Sequence, residues 1–265
     1  RLFRKESPKM YIKEGQNLVE NHNFALAAIA FQQAINLDEN NKEAHKGMGN
    51  VLFRKGGRSN ANLALESFMA ASRLDPFDEH VYALSAKIYE KLRMKKEATL
   101  QRKKLMTVKI LQTEPNNPIA NNNMGMLFLQ LQQVDSAITY FENAIAARPG
   151  YDTAHRNLAV TYYGMAMAEP DEQKKEHHLN QAINNIGIAM VESRSISAML
   201  VYGKILLAKS LYEDALAIME EVEELDRTNK DVYSIKSQAL EKMNRTKDAQ
   251  EAFDSYQIWA DQTPE

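Results

Sequence analysis

The chain has 265 residues, 44% of them hydrophobic, and no run of about 18 apolar residues that could span a bilayer; this excludes a membrane helix and points to a folded globular chain. Cysteine is absent, so disulfides, thiol nucleophiles and thiolate metal sites are excluded together. The net charge of −2 hides an asymmetry: 20 basic and 13 acidic residues in 1–117 give +7, whereas 13 and 22 in 118–265 give −9, a pattern open to head-to-tail association, to two differently charged partner surfaces or to solvated helix faces.

The chain opens at Arg1 with RLFRKES rather than with Met, so residues 1–7 read as the N-terminal flank of a larger or processed chain, with any signal, anchor or companion domain upstream. From residue 8 a repeat emerges on self-comparison. Residues 8–41 carry Gly15, Ala27, Phe31 and Ala34, which fall at the eighth, twentieth, twenty-fourth and twenty-seventh places of a 34-residue unit. Residues 42–78 carry Gly49, Ala64, Phe68, Ala71 and Pro76, with three extra residues near Arg58–Asn60 expected in the turn. Residues 79–117 keep Tyr82, Ala86, Tyr89 and Ala98 and predict a longer second helix. Residues 118–151 match the first unit place for place through Gly125, Ala137, Phe141 and Ala144. Residues 152–195 keep Leu158, Ala159, Tyr162, Ala182 and Ala189 around an insertion at about 166–178, where both helices should lengthen with Pro170 near the start of the second. Residues 196–229 have Gly203, Leu206, Ala215 and Leu225, and residues 230–262 have Tyr233, Leu240, Ala249 and Phe253.

This pattern resembles the tetratricopeptide repeat, a helix–turn–helix unit. The resemblance implies an all-α fold, a right-handed α-solenoid of about seven such repeats running as a single array over residues 8–262. The physics agrees with the spacing: two helices approach closely where small residues meet at their crossing, and bulkier residues fill the space around it. Each unit is too small to bury its own face, so neighbours must stack.

The run Asn121–Asn122–Asn123 stands out, because Asn ordinarily marks turns. In this register the three occupy the fourth, fifth and sixth places of a first helix. Asn121 stands where an aromatic is usual and should border the preceding repeat. In the family the resemblance names, places two, five, six, nine, twelve and thirteen line the concave face, which puts Asn122 and Asn123, with Arg156 and Asn157 of the next repeat, on that face. Such an asparagine pair is similar to the ladder by which some tetratricopeptide proteins hold an extended peptide, since a primary amide offers a donor and an acceptor together. The solvated-Asn alternative stays open, and the sixth places elsewhere (Lys13, Gly47, Leu84, Val201 and Ile235) interrupt the ladder. Further inner-face candidates are Lys46, Asn50, Arg54, Lys87, Lys91, Met126 and Lys204. Lys46 and Asn50 resemble the start of the family's carboxylate clamp, but Leu84 stands where that clamp needs Asn, so a full clamp is not expected.

Residues 91–109 hold eight basic residues and Glu97, but no aromatic to stack on a base, so a solvated helix face is expected rather than a nucleic-acid site. His177 and His178 are adjacent, so their side chains diverge by about 100° and cannot readily share one ion. His45 and His155 take the fourth place, where packing is the expectation. No nucleophile elbow, phosphate loop or His–Glu–x–x–His motif occurs, so no catalytic residue, cofactor or metal is expected. At the C-terminus Tyr256, Ile258 and Trp259 form an expected terminal interface or a compact cap.

The reading is a non-catalytic scaffold that binds a protein or peptide, acidic or polar, within a larger assembly or a signalling or secretion system. Two alternatives remain: the substrate-recruiting or regulatory arm of a larger enzyme or signalling protein, and a self-associating structural scaffold. The expected compartment is the cytoplasm, or the periplasm for a chain whose upstream signal or anchor has been removed.

Overall fold

The computed structural model describes residues 6–262, so most of the expected 1–7 flank lies outside the described residues. Among these residues the fold is all-α: fourteen helices and no strand. They are arranged as helix–turn–helix pairs, α1 (Pro8–Glu20) with α2 (Phe24–Leu37), α3 (Lys42–Lys55) with α4 (Arg58–Leu74) and α5 (Glu79–Lys91) with α6 (Lys95–Thr113); α7 (Pro118–Gln130) and α8 (Val134–Ala147) follow in chain order. Then come α9 (Asp152–Ala168) with α10 (Glu172–Glu192), α11 (Ile196–Ala208) with α12 (Tyr212–Leu225), and α13 (Lys230–Lys242) with α14 (Thr246–Gln262). No helix among the described residues is long and apolar enough to cross a membrane.

Local chemistry explains where the helices start and stop. Six of the seven first helices are opened by a short polar N-cap: the side chains of Ser7, Asn41, Asp78, Asn117, Ser195 and Asn229 each accept a hydrogen bond from a main-chain N–H in the first turn. Pro8 and Pro118 take the first helical position, where the missing N–H costs nothing. In five repeats the turn is closed by a left-handed residue at the fifteenth place, His22, Arg93, Gln132, Ser210 and Asn244 having φ of 57–62°; in the second repeat Gly56 takes that place at φ 74° and ψ −176°, a conformation essentially confined to glycine. Between repeats, Asp38, Asp75 and Asp226 each end a second helix and accept from the main-chain N–H two residues on, at 3.2, 3.0 and 3.0 Å.

One expectation needs correction. The three extra residues Arg58–Asn60 do not enlarge the turn of the second repeat; they lengthen α4 to 17 residues. Gly56 and Gly57, both at positive φ, make the turn by themselves, and the polar run that follows continues as helix. The insertion near 166–178 lengthens α9 to 17 and α10 to 21 residues, with Pro170 just ahead of the N-cap Asp171. The second helix of the third repeat, α6, has 19 residues.

The chain divides into two compact units, one ending at Gln133 and the other beginning at Val134. The alanines at the twentieth place (Ala27, Ala64, Ala98, Ala137, Ala182, Ala215 and Ala249) are all buried. In the first unit one core runs from α2 to α5 through Ala27, Phe31, Met48, Leu52, Phe68 and Ile88. Phe31 lies between two glycines: a Cβ on Gly15 would stand 2.9 Å, and one on Gly47 2.2 Å, from its ring. Gly49 and Phe68 repeat the close approach at 2.6 Å. The second unit has three successive clusters, around Ile186 and Ile205, around Met199 and Met219, and around Leu216 and Leu240.

Candidate functional site

The fourth place of the first helix has one structural role in five repeats. Tyr82 Oη donates to Pro76 O at 2.9 Å, Tyr233 Oη to Arg227 O at 2.9 Å and Asn121 Nδ2 to Pro115 O at 2.8 Å. His45 Nε2 and His155 Nε2 lie 2.8 Å from Glu39 O and Pro149 O. Each side chain reaches back six residues to a carbonyl of the loop that joins it to the preceding repeat, satisfying an acceptor that no helix supplies. Sequence reasoning assigned the two histidines to packing and Asn121 to a repeat border, and it missed the shared bond. What the five side chains have in common is a hydrogen-bonding group at one reach, not a residue type, so the sequence carries only a weak signal of it.

The asparagine run therefore resolves residue by residue. Asn121 is buried and spends its amide on Pro115 O and Asn117 O. Asn122 is 5% exposed. The expectation that it lines an open face is corrected, because one residue step turns the side chain by about 100° into the packed side of α7. Asn123 alone of the three is exposed.

Most of the expected cations are engaged with a neighbouring helix. Lys46 pairs with Asp78, the N-cap of α5, at 2.6 Å, and Lys42 pairs with Asp75 at 2.8 Å. The hydrogen bond from Lys42 holds the Asp75 carboxyl below the usual carboxylate range. In the second unit Arg156 Nη1 donates to Ser197 Oγ at 2.8 Å, and Lys204 stands 4.0 Å from Asp231. The rule is common to both units: a cation on one first helix reaches the start of the next, where acidic or hydroxyl groups also suit the helix dipole. Asn50 and Asn157 are half-buried, Arg54 and Lys87 are exposed, and Lys91 lies over the Phe53 ring at 4.4 Å.

Asn123 and Met126 are brought together. They line a hollow of about 210 Å³ between α6 and α7 with Leu100, Lys103, Lys104 and Thr107. The two lysines belong to the basic stretch that reads from sequence as a solvated face; nothing in its composition separates the residues that turn toward α7 from those that do not. On α14, Ile258 and Phe253 are exposed, Tyr256 stacks on Phe253 at 6.2 Å, and Trp259 is half-buried. His177 and His178 lie 5.8 Å apart, and His178 stacks on Tyr162. Among the described residues no three His, Asp or Glu side chains converge as a metal-binding group.

A family model described as the tetratricopeptide repeat matches residues 122–164. No match to a curated protein was found. Among solved structures, the chain is similar to the human IFIT1 dimer with PPP-AAAA, with a TM-score of 0.50 and 15% identity over 96% of this chain and 59% of that one. The chain thus spans about three fifths of that protein's length. A tetratricopeptide repeat protein from Parabacteroides merdae gives 0.45 at 14% identity, covering 95% and 93%. The pilF protein of Pseudomonas aeruginosa gives 0.40 at 15%, covering 87% and 96%. At such identities the likeness is one of fold.

Proposed function

The chain is a tetratricopeptide repeat protein, and from that premise we propose that it is a non-catalytic interaction scaffold which holds an extended segment of a protein partner against the first helices of its repeats. The observation that carries this reading is the placing of Asn123. Its amide is exposed on α7 beside Met126, in the hollow that Lys103 also lines. A primary amide can pair with both the N–H and the C=O of a peptide whatever its side chains, while the neighbouring thioether adapts to an apolar group and the ammonium favours an acid. Lys46 and Lys204 are committed to neighbouring helices, and in this reading they hold the spacing of the first helices rather than the partner.

Affinity capture from source-cell lysate with mass spectrometry tests the reading one unit at a time, comparing wild type with Asn123→Ala and, separately, with the pair Arg156→Ala and Asn157→Ala, each checked for folding by circular dichroism. Loss of a defined set of proteins with Asn123→Ala supports a peptide held on α7. Persistence of every captured protein with both variants overturns the asparagine-based mode.

A further inference from the structure

Four half-buried lysines are neutralised by a carboxylate: Lys46 by Asp78, Lys175 by Glu172, Lys209 by Glu176 and Lys236 by Glu223. Lys104, on α6, differs. It is half-buried, and among the described residues no acid pairs with it. Its side chain lines the α6–α7 hollow and also a second cavity of about 330 Å³. That cavity is walled by Leu65, Phe68 and Met69 of α4, Val81, Ser85 and Tyr89 of α5, and Gln130 of α7. Its one carboxylate, Glu66, is exposed and makes no ion pair with Lys104, and its other cation, Arg73, is also exposed. Burial pushes the Lys104 ammonium below the ordinary lysine value, with no acid to oppose the shift.

A charge withdrawn from water without a partner is costly, and a cavity beside it supplies room for one. We infer that the cavity around Lys104 is a binding site for a carboxylate carried on a short apolar stem, the carboxylate meeting the ammonium and the stem lying against Leu65, Phe68 and Val81. The same chemistry is offered by an acidic side chain of a bound segment and by a free aliphatic acid. The first source rests on the scaffold reading above; the second does not need it. The site differs from the row of first-helix residues because its cation stands on a second helix.

The test uses the full chain with 13C at the lysine ε carbons, the Lys104 resonance being assigned by its loss in Lys104→Met. Three probes are titrated: sodium hexanoate, hexan-1-ol and the blocked peptide acetyl-Leu-Glu-Leu-amide. The expected result is a saturable shift of the Lys104 resonance with at least one carboxylate, hexanol binding at least about tenfold more weakly. A response to hexanoate alone identifies a free acid, and one to the peptide alone identifies an acidic side chain. Hexanoate affinity measured by calorimetry should fall at least about tenfold in Lys104→Met and in Lys104→Gln, both of which should keep the wild-type far-ultraviolet dichroism. The inference is overturned if neither carboxylate moves the resonance saturably, if hexanol binds as well as hexanoate, or if the folded variants bind as tightly as wild type. Because hexanoate needs no partner protein, this result is read apart from the capture experiment.

Discussion

Phe31 shows how closely residue identity is set by a neighbour in another helix. Its ring is 2% exposed and lies between Gly15 of its own repeat and Gly47 of the next. A methyl group on Gly47 would sit 2.2 Å from Cε1 of that ring, well inside van der Waals contact, and the ring is too enclosed to swing away. Gly47→Ala should therefore destabilise the protein by about 1–3 kcal/mol, read as a lowered urea midpoint; an unchanged midpoint would mean that Phe31 can move. From sequence Gly47 reads as a break in an asparagine ladder, because the packing partner that excludes a side chain lies in the preceding repeat. Tyr82 has a different constraint. Burial, first, and then the charges of Asp75 and Asp78 push its hydroxyl above its ordinary value of 10.0, and it donates to Pro76 O. An acid whose folded pKa is raised contributes stability that is complete below the unfolded value and is lost as pH climbs past it. Tyr82→Phe should cost about 1 kcal/mol at neutral pH through the unsatisfied carbonyl, and should reduce the further loss of stability between neutral pH and about pH 11. Urea unfolding at the two pH values checks both signs.

At the scale of the element, the turn within five of the repeats is built on one backbone conformation and many residue types. His22, Arg93, Gln132, Ser210 and Asn244 share a left-handed φ near 60°, a region in which Cβ crowds the following carbonyl. Gly56 takes the same place at φ 74° and ψ −176°, a region essentially confined to glycine. Arg93→Gly and Ser210→Gly should each stabilise the chain by about 0.5–1 kcal/mol, the relief of crowding outweighing the freedom glycine adds to the unfolded chain, and Gly56→Ala should destabilise it by about 1–3 kcal/mol. Thermal unfolding decides; a lower melting temperature for Arg93→Gly would show that its side chain contributes more than its backbone costs. These turns also mark how far the sequence can be read. The alanines and glycines of the crossings stand out because small residues recur there at one spacing. A left-handed Arg or Gln carries no such mark. Asn123 and Met126 were legible as neighbours on α7, two residues of one helical row. Lys104 was not, because what distinguishes it from the exposed Lys103 is its half-buried place in a cavity walled by α4, α5 and α7, which only the packing of those helices creates.

For the whole molecule, the stacking of repeats makes stability a sum of local terms, since each helix pair buries its face mainly on its neighbours. A helix at the end of an array has a neighbour on one side only. In the first unit the residue that α1 buries is Gly15, whereas α3 buries Ala44, Met48, Gly49, Val51 and Leu52. In the second, α14 buries Ala249 and Ala252 and leaves Phe253 and Ile258 in solvent, whereas α11 buries Ala198, Met199, Gly203, Ile205 and Leu206. Opening α1 or α14 therefore exposes little apolar surface, and at roughly 25 cal/mol per Å² the difference from α3 or α11 amounts to several kcal/mol. Native-state hydrogen exchange should find the amides of α1 exchanging before those of α3, and the amides of α14 before those of α11, by about two orders of magnitude or more. Equal protection of α1 and α3 would mean that the first unit opens in one step, and the local sum would fail there. The order matters for binding, because Asn123 and Lys104 stand on α7 and α6, away from the fraying N-terminal helix. A site on those helices keeps its geometry while α1 opens, so hexanoate binding at Lys104 should survive a truncation or a substitution that unfolds α1 alone.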